Sequence, residues 1–146
     1  MTWIELLELI FGRSITKIPD PYTESITGDE VRALLSKFTD KLWISDGLFK
    51  LVSTQALSAF LASDSINKRP YVVEKHDCDD YSYELMGHVS DWNSDNTFGI
   101  VWGLNGDGNA HAWNFYIDEK RVVKFVEPQN DVIFEPNNEK VWVMIV

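Results

Sequence analysis

Halfway along the chain the spacing of apolar residues changes from helical to strand-like, and that switch limits the folds available. In the first half, Thr27-Gly28-Asp29-Glu30 has the capping-box pattern of a hydroxyl followed three residues on by a carboxylate. Val31, Leu34, Leu35 and Phe38 then follow at helical spacing, which predicts a helix from Gly28 to Asp40. Ser53 or Thr54 caps a further helix carrying Leu57, Phe60 and Leu61, and Trp3, Leu6, Leu7 and Ile10 share one face of a short opening helix. Between the first two, Gly12 to Ser25 holds Pro19 and Pro21 and reads as an irregular linker. From Phe98 onward the runs Phe98–Trp102, Ala110–Ile117, Arg121–Val126, Val132–Phe134 and Lys140–Val146 are separated only by turn residues. Strands that close together, with no helix between them, form an antiparallel meander. Helices first and strands later make this an α+β chain.

At 146 residues the chain has the size of one domain, and no internal repeat subdivides it. Its 13 basic and 23 acidic side chains leave a net charge of -10. Such a surface repels phosphate, which argues against nucleic acid and against anionic membranes, and favours divalent cations. No apolar run is long enough to span a membrane. The opening residues lack a basic segment and are interrupted by Glu5 and Glu8, so a secretory signal is not expected. The expected location is the cytoplasm, or a virion-like assembly released by lysis. The single cysteine, Cys78, excludes an internal disulfide framework and a cysteine-rich zinc site.

Cys78 precedes a helical pattern in which Ser82, Leu85 and Val89 fall on its own face, so it opens a helix. A thiolate there is stabilised by the helix dipole and the free backbone N–H groups, which lower its pKa. The carboxylates of Asp77, Asp79 and Asp80 oppose that and raise it unless a cation reverses the local field. Of the three histidines, His76 is too near Cys78 in sequence and His88 too far along the same helix. His111 opens a strand, and Glu127 ends the next. With a three-residue hairpin loop at Asp118–Lys120, Ile117 pairs with Arg121, Phe115 with Val123, Trp113 with Phe125 and His111 with Glu127. A loop one residue shorter puts Glu127 on the wrong face. Taken singly, these are an inert thiol, a strand histidine and a surface glutamate. Together they form the order that nucleophilic thiol catalysis requires.

The segments Asp77-Cys78-Asp79-Asp80-Tyr81, His111-Ala112-Trp113-Asn114 and Glu127-Pro128-Gln129 resemble the papain-like C-terminal domain of fungal agglutinins of the Marasmius oreades type. The first also resembles bacterial transglutaminase-like cysteine peptidases. The resemblance spans residues 48–146 and leaves residues 1–47 as an N-terminal helical extension. It implies a papain-like or transglutaminase-like fold, with Cys78 as nucleophile, His111 as general base and Glu127 orienting the imidazole. It also implies dependence on Ca²⁺ or Mn²⁺ and a homodimer. The hard oxygens of Asp79, Asp80 and Gln129 suit such an ion and are the expected ligands. Two departures stand out. Val72 occupies the position six residues before Cys78 where a papain has glutamine, and no sugar-binding trefoil precedes the domain, so lectin activity is not carried over.

The expected function is therefore a metal-dependent cysteine hydrolase that cleaves peptide or amide bonds in a peptide or protein substrate. The alternatives are a catalytically silent binding or scaffold module of the same fold, such as a phage or assembly component, and an acyl-transferring transglutaminase-like enzyme.

Overall fold

A computed structural model of the chain describes residues 22–146. The opening apolar segment of Trp3, Leu6, Leu7 and Ile10 and most of the proline-bearing linker lie outside the described residues. Strand β1 (Tyr22–Thr27) leads directly into helix α1 (Gly28–Leu35). The turn between them is fixed by the expected capping box. Thr27 N–H donates to Glu30 Oε2 at 2.8 Å, and Glu30 N–H donates to Thr27 Oγ1 at 3.2 Å. The helix stops at Leu35, short of the expected Asp40. Ser36 turns its hydroxyl back onto the Ala33 carbonyl, and Thr39 Oγ1 donates to the Trp142 carbonyl at 3.0 Å. Such side-chain bonds to backbone compete with helix continuation.

Strands β2 (Leu42–Trp43) and β3 (Leu48–Val52) follow, then α2 (Thr54–Ser63), whose Ala56 N–H is capped by Ser53 Oγ. A single 3₁₀ turn, Ile66–Lys68, precedes α3 (Cys78–Trp92), which opens at the cysteine as expected. The remainder is β4 (Gly99–Leu104), β5 (Ala110–Ile117), β6 (Val123–Glu127), β7 (Val132–Phe134) and β8 (Lys140–Ile145). The α+β class holds.

The strands form two sheets. β1 and β3 make an antiparallel pair, and the other six are ordered β2-β8-β4-β5-β6-β7. β4 to β7 are the expected meander. β8 crosses back to the outer side of β4, and β2 joins it in parallel at the edge. At the β4–β8 seam a bulge falls between Trp102 and Gly103. A Cβ on Gly103 would strike the Lys140 carbonyl, so only glycine allows β8 to come this close.

Each face of the large sheet has its own core. On one, Val101, Trp113, Phe115, Phe125 and Met144 pack with Ile26 and Phe49 of the small sheet and Val31 and Leu35 of α1. On the other, Tyr116 and Val126 pack with Leu57, Phe60 and Leu61 of α2 and Tyr81, Leu85 and Val89 of α3. Each fully buried large side chain contributes roughly 1.5–3 kcal/mol of transfer free energy. The first core crosses the expected boundary at residue 48, because β1 pairs with β3 and α1 packs on the same cluster as Phe49. Residues 22–47 supply two strands as well as a helix.

Candidate functional site

The opening of α3 is crowded with acids. Asp77 is its N-cap, and the Asp77 N–H donates to Asp80 Oδ2 at 3.2 Å. A tight turn delivers the chain to this point. His76 and Val72 exchange backbone hydrogen bonds, Glu74 sits in the left-handed region at φ 61°, and the Glu74 N–H donates to Asp77 Oδ2 at 3.1 Å. Ligand atoms of Asp77, Cys78 and Asp79 all lie within 4.8 Å of one another.

This proximity shapes the protonation of the cluster. Asp79 donates a hydrogen bond to Asp77, which holds the Asp77 carboxyl below its ordinary range and pushes Asp79 above it. Burial and the neighbouring carboxylates of Asp77 and Asp80 push Asp79 further up. Two like charges this close resist ionising together. Burial also raises the thiol of Cys78, and Asp77 and Asp79 add to the effect, while N–H groups of Ala112 and Asp79 act against it. Of the two opposing effects expected from the sequence, the raising one prevails, with burial ahead of the carboxylates. Desolvation together with two carboxylates outweighs the two backbone N–H groups.

On the facing strand, Cys78 meets the Ala112 N–H, one residue from His111. His111 Nε2 and Glu127 Oε2 are 2.7 Å apart, with both side chains largely buried. The two do meet, but through a different register from the expected one. Asn114 pairs with Val126, Phe115 with Phe125 and Ile117 with Val123, two residues away from the expected partners. The loop has three residues, as expected, but they are Glu119–Arg121. Asp118 closes it by accepting from Lys120 N–H and Val122 N–H at 2.9 Å each, and Arg121 rather than Lys120 takes the left-handed conformation, at φ 62°. A two-residue shift preserves the face, because the side-chain period of a strand is two. Glu127 therefore reaches His111 as a same-face diagonal neighbour.

Of the expected metal ligands, Asp79 falls in the cluster with Asp77 and Cys78. Asp80 spends its carboxylate on the cap, and Gln129 lies in the turn after Glu127, its N–H donating to Glu127 Oε1 at 3.1 Å. The other histidines bond elsewhere, His76 to Glu84 and His88 to Asp64.

Two aromatic elements of the site escape sequence reasoning. Tyr71, stacked near Tyr81, has its hydroxyl raised by desolvation and by the negative charge of Cys78, Asp77 and Asp79. Tyr83, four residues beyond Asp79 on the same face of α3, leans on Trp102 of β4 with ring centroids 5.7 Å apart. No local pattern marks either, because both contacts depend on how distant segments pack.

Among the described residues, no helix is long and apolar enough to cross a membrane. Comparison with curated proteins finds no match. Among solved structures, the chain is similar to a PSL1a–E64 complex, at 27% identity and a TM-score of 0.73, over 84% of this chain and 51% of that one. It is also similar to a Polyporus squamosus lectin bound to the human-type influenza-binding epitope Neu5Acα2-6Galβ1-4GlcNAc, at 26% identity and a TM-score of 0.71, over 84% and 49%. The chain thus spans about half the length of these neighbours.

These findings correct the functional expectation. The matching family and the Polyporus squamosus neighbour are lectins, which overturns the metal-dependent cysteine hydrolase, its peptidase class and the acyl-transfer variant. A peptide substrate and a homodimer find no support in these relatives. What survives is the agglutinin side of the resemblance. The model of the ricin-type β-trefoil lectin C-terminal domain matches residues 29–146, and the chain belongs to that family.

Proposed function

We propose that this chain is a carbohydrate-binding module of a lectin-type protein, with a divalent cation held at the opening of α3. The observation that carries the reading is the match of the lectin C-terminal family along residues 29–146. The Polyporus squamosus neighbour supports it, since that protein is seen with a sialylated glycan. On this reading Cys78, His111 and Glu127 bind and shape the site, and no covalent step is assigned to them.

The donor set fits a hard cation. Asp77 and Asp79 offer two carboxyl groups that share a hydrogen bond while Asp79 keeps its proton and repel one another once both are ionised, and the Cys78 sulfur lies within the same 4.8 Å cluster. Ca²⁺ or Mn²⁺ would be held by Asp77 and Asp79, and it would supply positive charge that orders these carboxylates and attracts ligand hydroxyls. Gln129, in the turn beside Glu127, is a candidate to complete the set with an amide oxygen. His111 and Glu127 fix each other by their 2.7 Å bond and so stiffen the facing strand ends. The finer fold reading, a papain-like arrangement of a cysteine-initiated helix packed on an antiparallel sheet, is part of this proposal. It is supported by the seating of Cys78 against the Ala112 backbone.

The test is calorimetry of Ca²⁺ and of Mn²⁺ added to EDTA-stripped protein, followed by a glycan array on the cation-loaded chain. Cation binding that is lost in Asp79→Asn, together with retention on glycans, supports the reading. Absence of both overturns it.

A further inference from the structure

On the face of the large sheet turned away from α3, a cavity of about 390 Å³ opens between the end of α1 and the β5–β6 loop. Leu34, Phe38, Val122 and Val123 give it an apolar lining, and Lys37 and Arg121 stand among them. Leu34 and Phe38 pack against the first core yet are only partly buried, and Val122 is 43% exposed. The groove continues the core, and the described residues leave it uncovered. Arg121 ties this wall to the point where the chain enters the fold. Its guanidinium reaches Glu24 at 3.5 Å, the Ser25 carbonyl at 3.4 Å and Glu30 at 3.3 Å. Glu24 is two residues beyond Tyr22, where the described residues begin. The segment before Tyr22 is therefore joined to the fold at the rim of the groove.

We infer that this groove is the docking site of the chain's own opening segment, with Trp3, Leu6, Leu7 and Ile10 as the side chains that enter it. The docking holds whatever the α3 opening binds. Three observations select this occupant. Reach comes first. The eleven residues Phe11–Pro21 span up to roughly 36 Å when extended, enough to return the segment to a rim at which they end. Apolarity is the second. The four side chains share one face at helical spacing, and such a face is stable only against another apolar surface. Burying it on Leu34, Phe38 and Val122 removes apolar area from water on both sides. Charge is the third. Glu5 and Glu8 flank the apolar face, and a net charge of -10 works against them over most of this protein. At the groove Lys37 meets them, while the nearby Glu135 is engaged by Lys124 at 2.6 Å and Glu24 and Glu30 by Arg121. A free acyl chain or an unrelated peptide lacks the tether, which keeps the segment at an effective concentration in roughly the millimolar range.

Nuclear Overhauser spectroscopy on the full chain tests the docking. Cross-peaks are expected from the Trp3 indole and the methyls of Leu6, Leu7 and Ile10 to the methyls of Leu34, Val122 and Val123. The double substitution Leu6→Asp, Leu7→Asp removes them, shifts the Leu34 and Val122 methyl resonances and speeds amide exchange over residues 121–123 at least about fivefold. Lys37→Glu, at an exposed position, sets a further carboxylate against Glu5 and Glu8 and weakens the same cross-peaks. Trp43→Ala, at an exposed indole on the edge strand β2, leaves them unchanged. A sample mixing isotope-labelled and unlabelled chains separates docking within one chain from docking between two. Cross-peaks that arise only between copies overturn the inference. So does their absence from the full chain, or their survival unaltered in both the double variant and Lys37→Glu.

Discussion

Two helices of this protein begin on acidic first turns, and they are built differently. At α1, Thr27 and Glu30 satisfy one another, and hydrogen bonds from Thr27 hold the Glu30 carboxyl below its ordinary range, with Arg121 adding to the effect. Glu30 there has partners that favour its charge. At α3, Asp79 is pushed up by its contact with Asp77, and the Cys78 thiol is pushed up by burial and by the same acids. The first start agrees with every local rule of helix initiation, while the second carries repulsion that a cap alone does not require. Crowding of this kind is what the proposed cation would relieve.

The contrast breaks cleanly by substitution. Asp79→Asn lowers the affinity for Ca²⁺ or Mn²⁺ by about a hundredfold, about 2.7 kcal/mol, and changes the stability of the cation-free protein by less than about 0.5 kcal/mol. Calorimetry and thermal melts in EDTA check the two halves. The same affinity falls with acidification. Because Asp79 is raised, a proton competes with the cation from a pH above the ordinary carboxylate range downward, and a titration of cation affinity against pH records it.

Thr27→Ala does the reverse. Loss of its cap costs about 1 kcal/mol of unfolding free energy in urea and leaves cation affinity alone.

The smallest effect concerns Asp131, in the turn after Glu127. Burial, reinforced by Asp64, pushes its carboxyl up to about 6 against an ordinary value of 3.8. A carboxyl raised in the folded state binds its proton more tightly there than in the unfolded chain. Its contribution is therefore present at pH below the unfolded value and lost as pH rises through about 6. Asp131→Asn then stabilises the protein at pH 8 by about 0.5–1 kcal/mol after allowance for solvent screening, with no gain at pH 4. Paired urea melts at the two pH values show the difference.

Much of this architecture was legible in the sequence wherever it depends on neighbouring residues. Thr27 and Ser53 announce their helices, Cys78 announces α3, and the strand runs from Phe98 onward give the meander. The crossing of β8 back to β4 and the parallel addition of β2 depend on pairings between distant segments, which no local period encodes. The hairpin shows how near a local reading comes. Loop length was right, but the Asp118 carboxylate selects which three residues form the loop, and parity alone kept His111 and Glu127 on one face. The Asp77–Asp79 contact, the stacking of Tyr71 near Tyr81 and the Tyr83–Trp102 pair arise only from packing. Function was the least legible layer. A cysteine, a histidine and a glutamate in catalytic order point to a hydrolase, and the family of the chain points to a lectin.

On the proposed reading a cation completes the α3 opening, and Cys78 is its built-in reporter. The decisive measurement is the rate of iodoacetamide alkylation of Cys78 near neutral pH, in EDTA and again with Ca²⁺ or Mn²⁺. With the cluster metal-free, the raised thiol reacts no faster than a free cysteine. An added cation reverses the local field, lowers the thiol pKa and speeds alkylation severalfold, and Asp79→Asn removes that acceleration. Equal rates with and without the cation, or a thiol already faster than free cysteine in EDTA, would contradict the account.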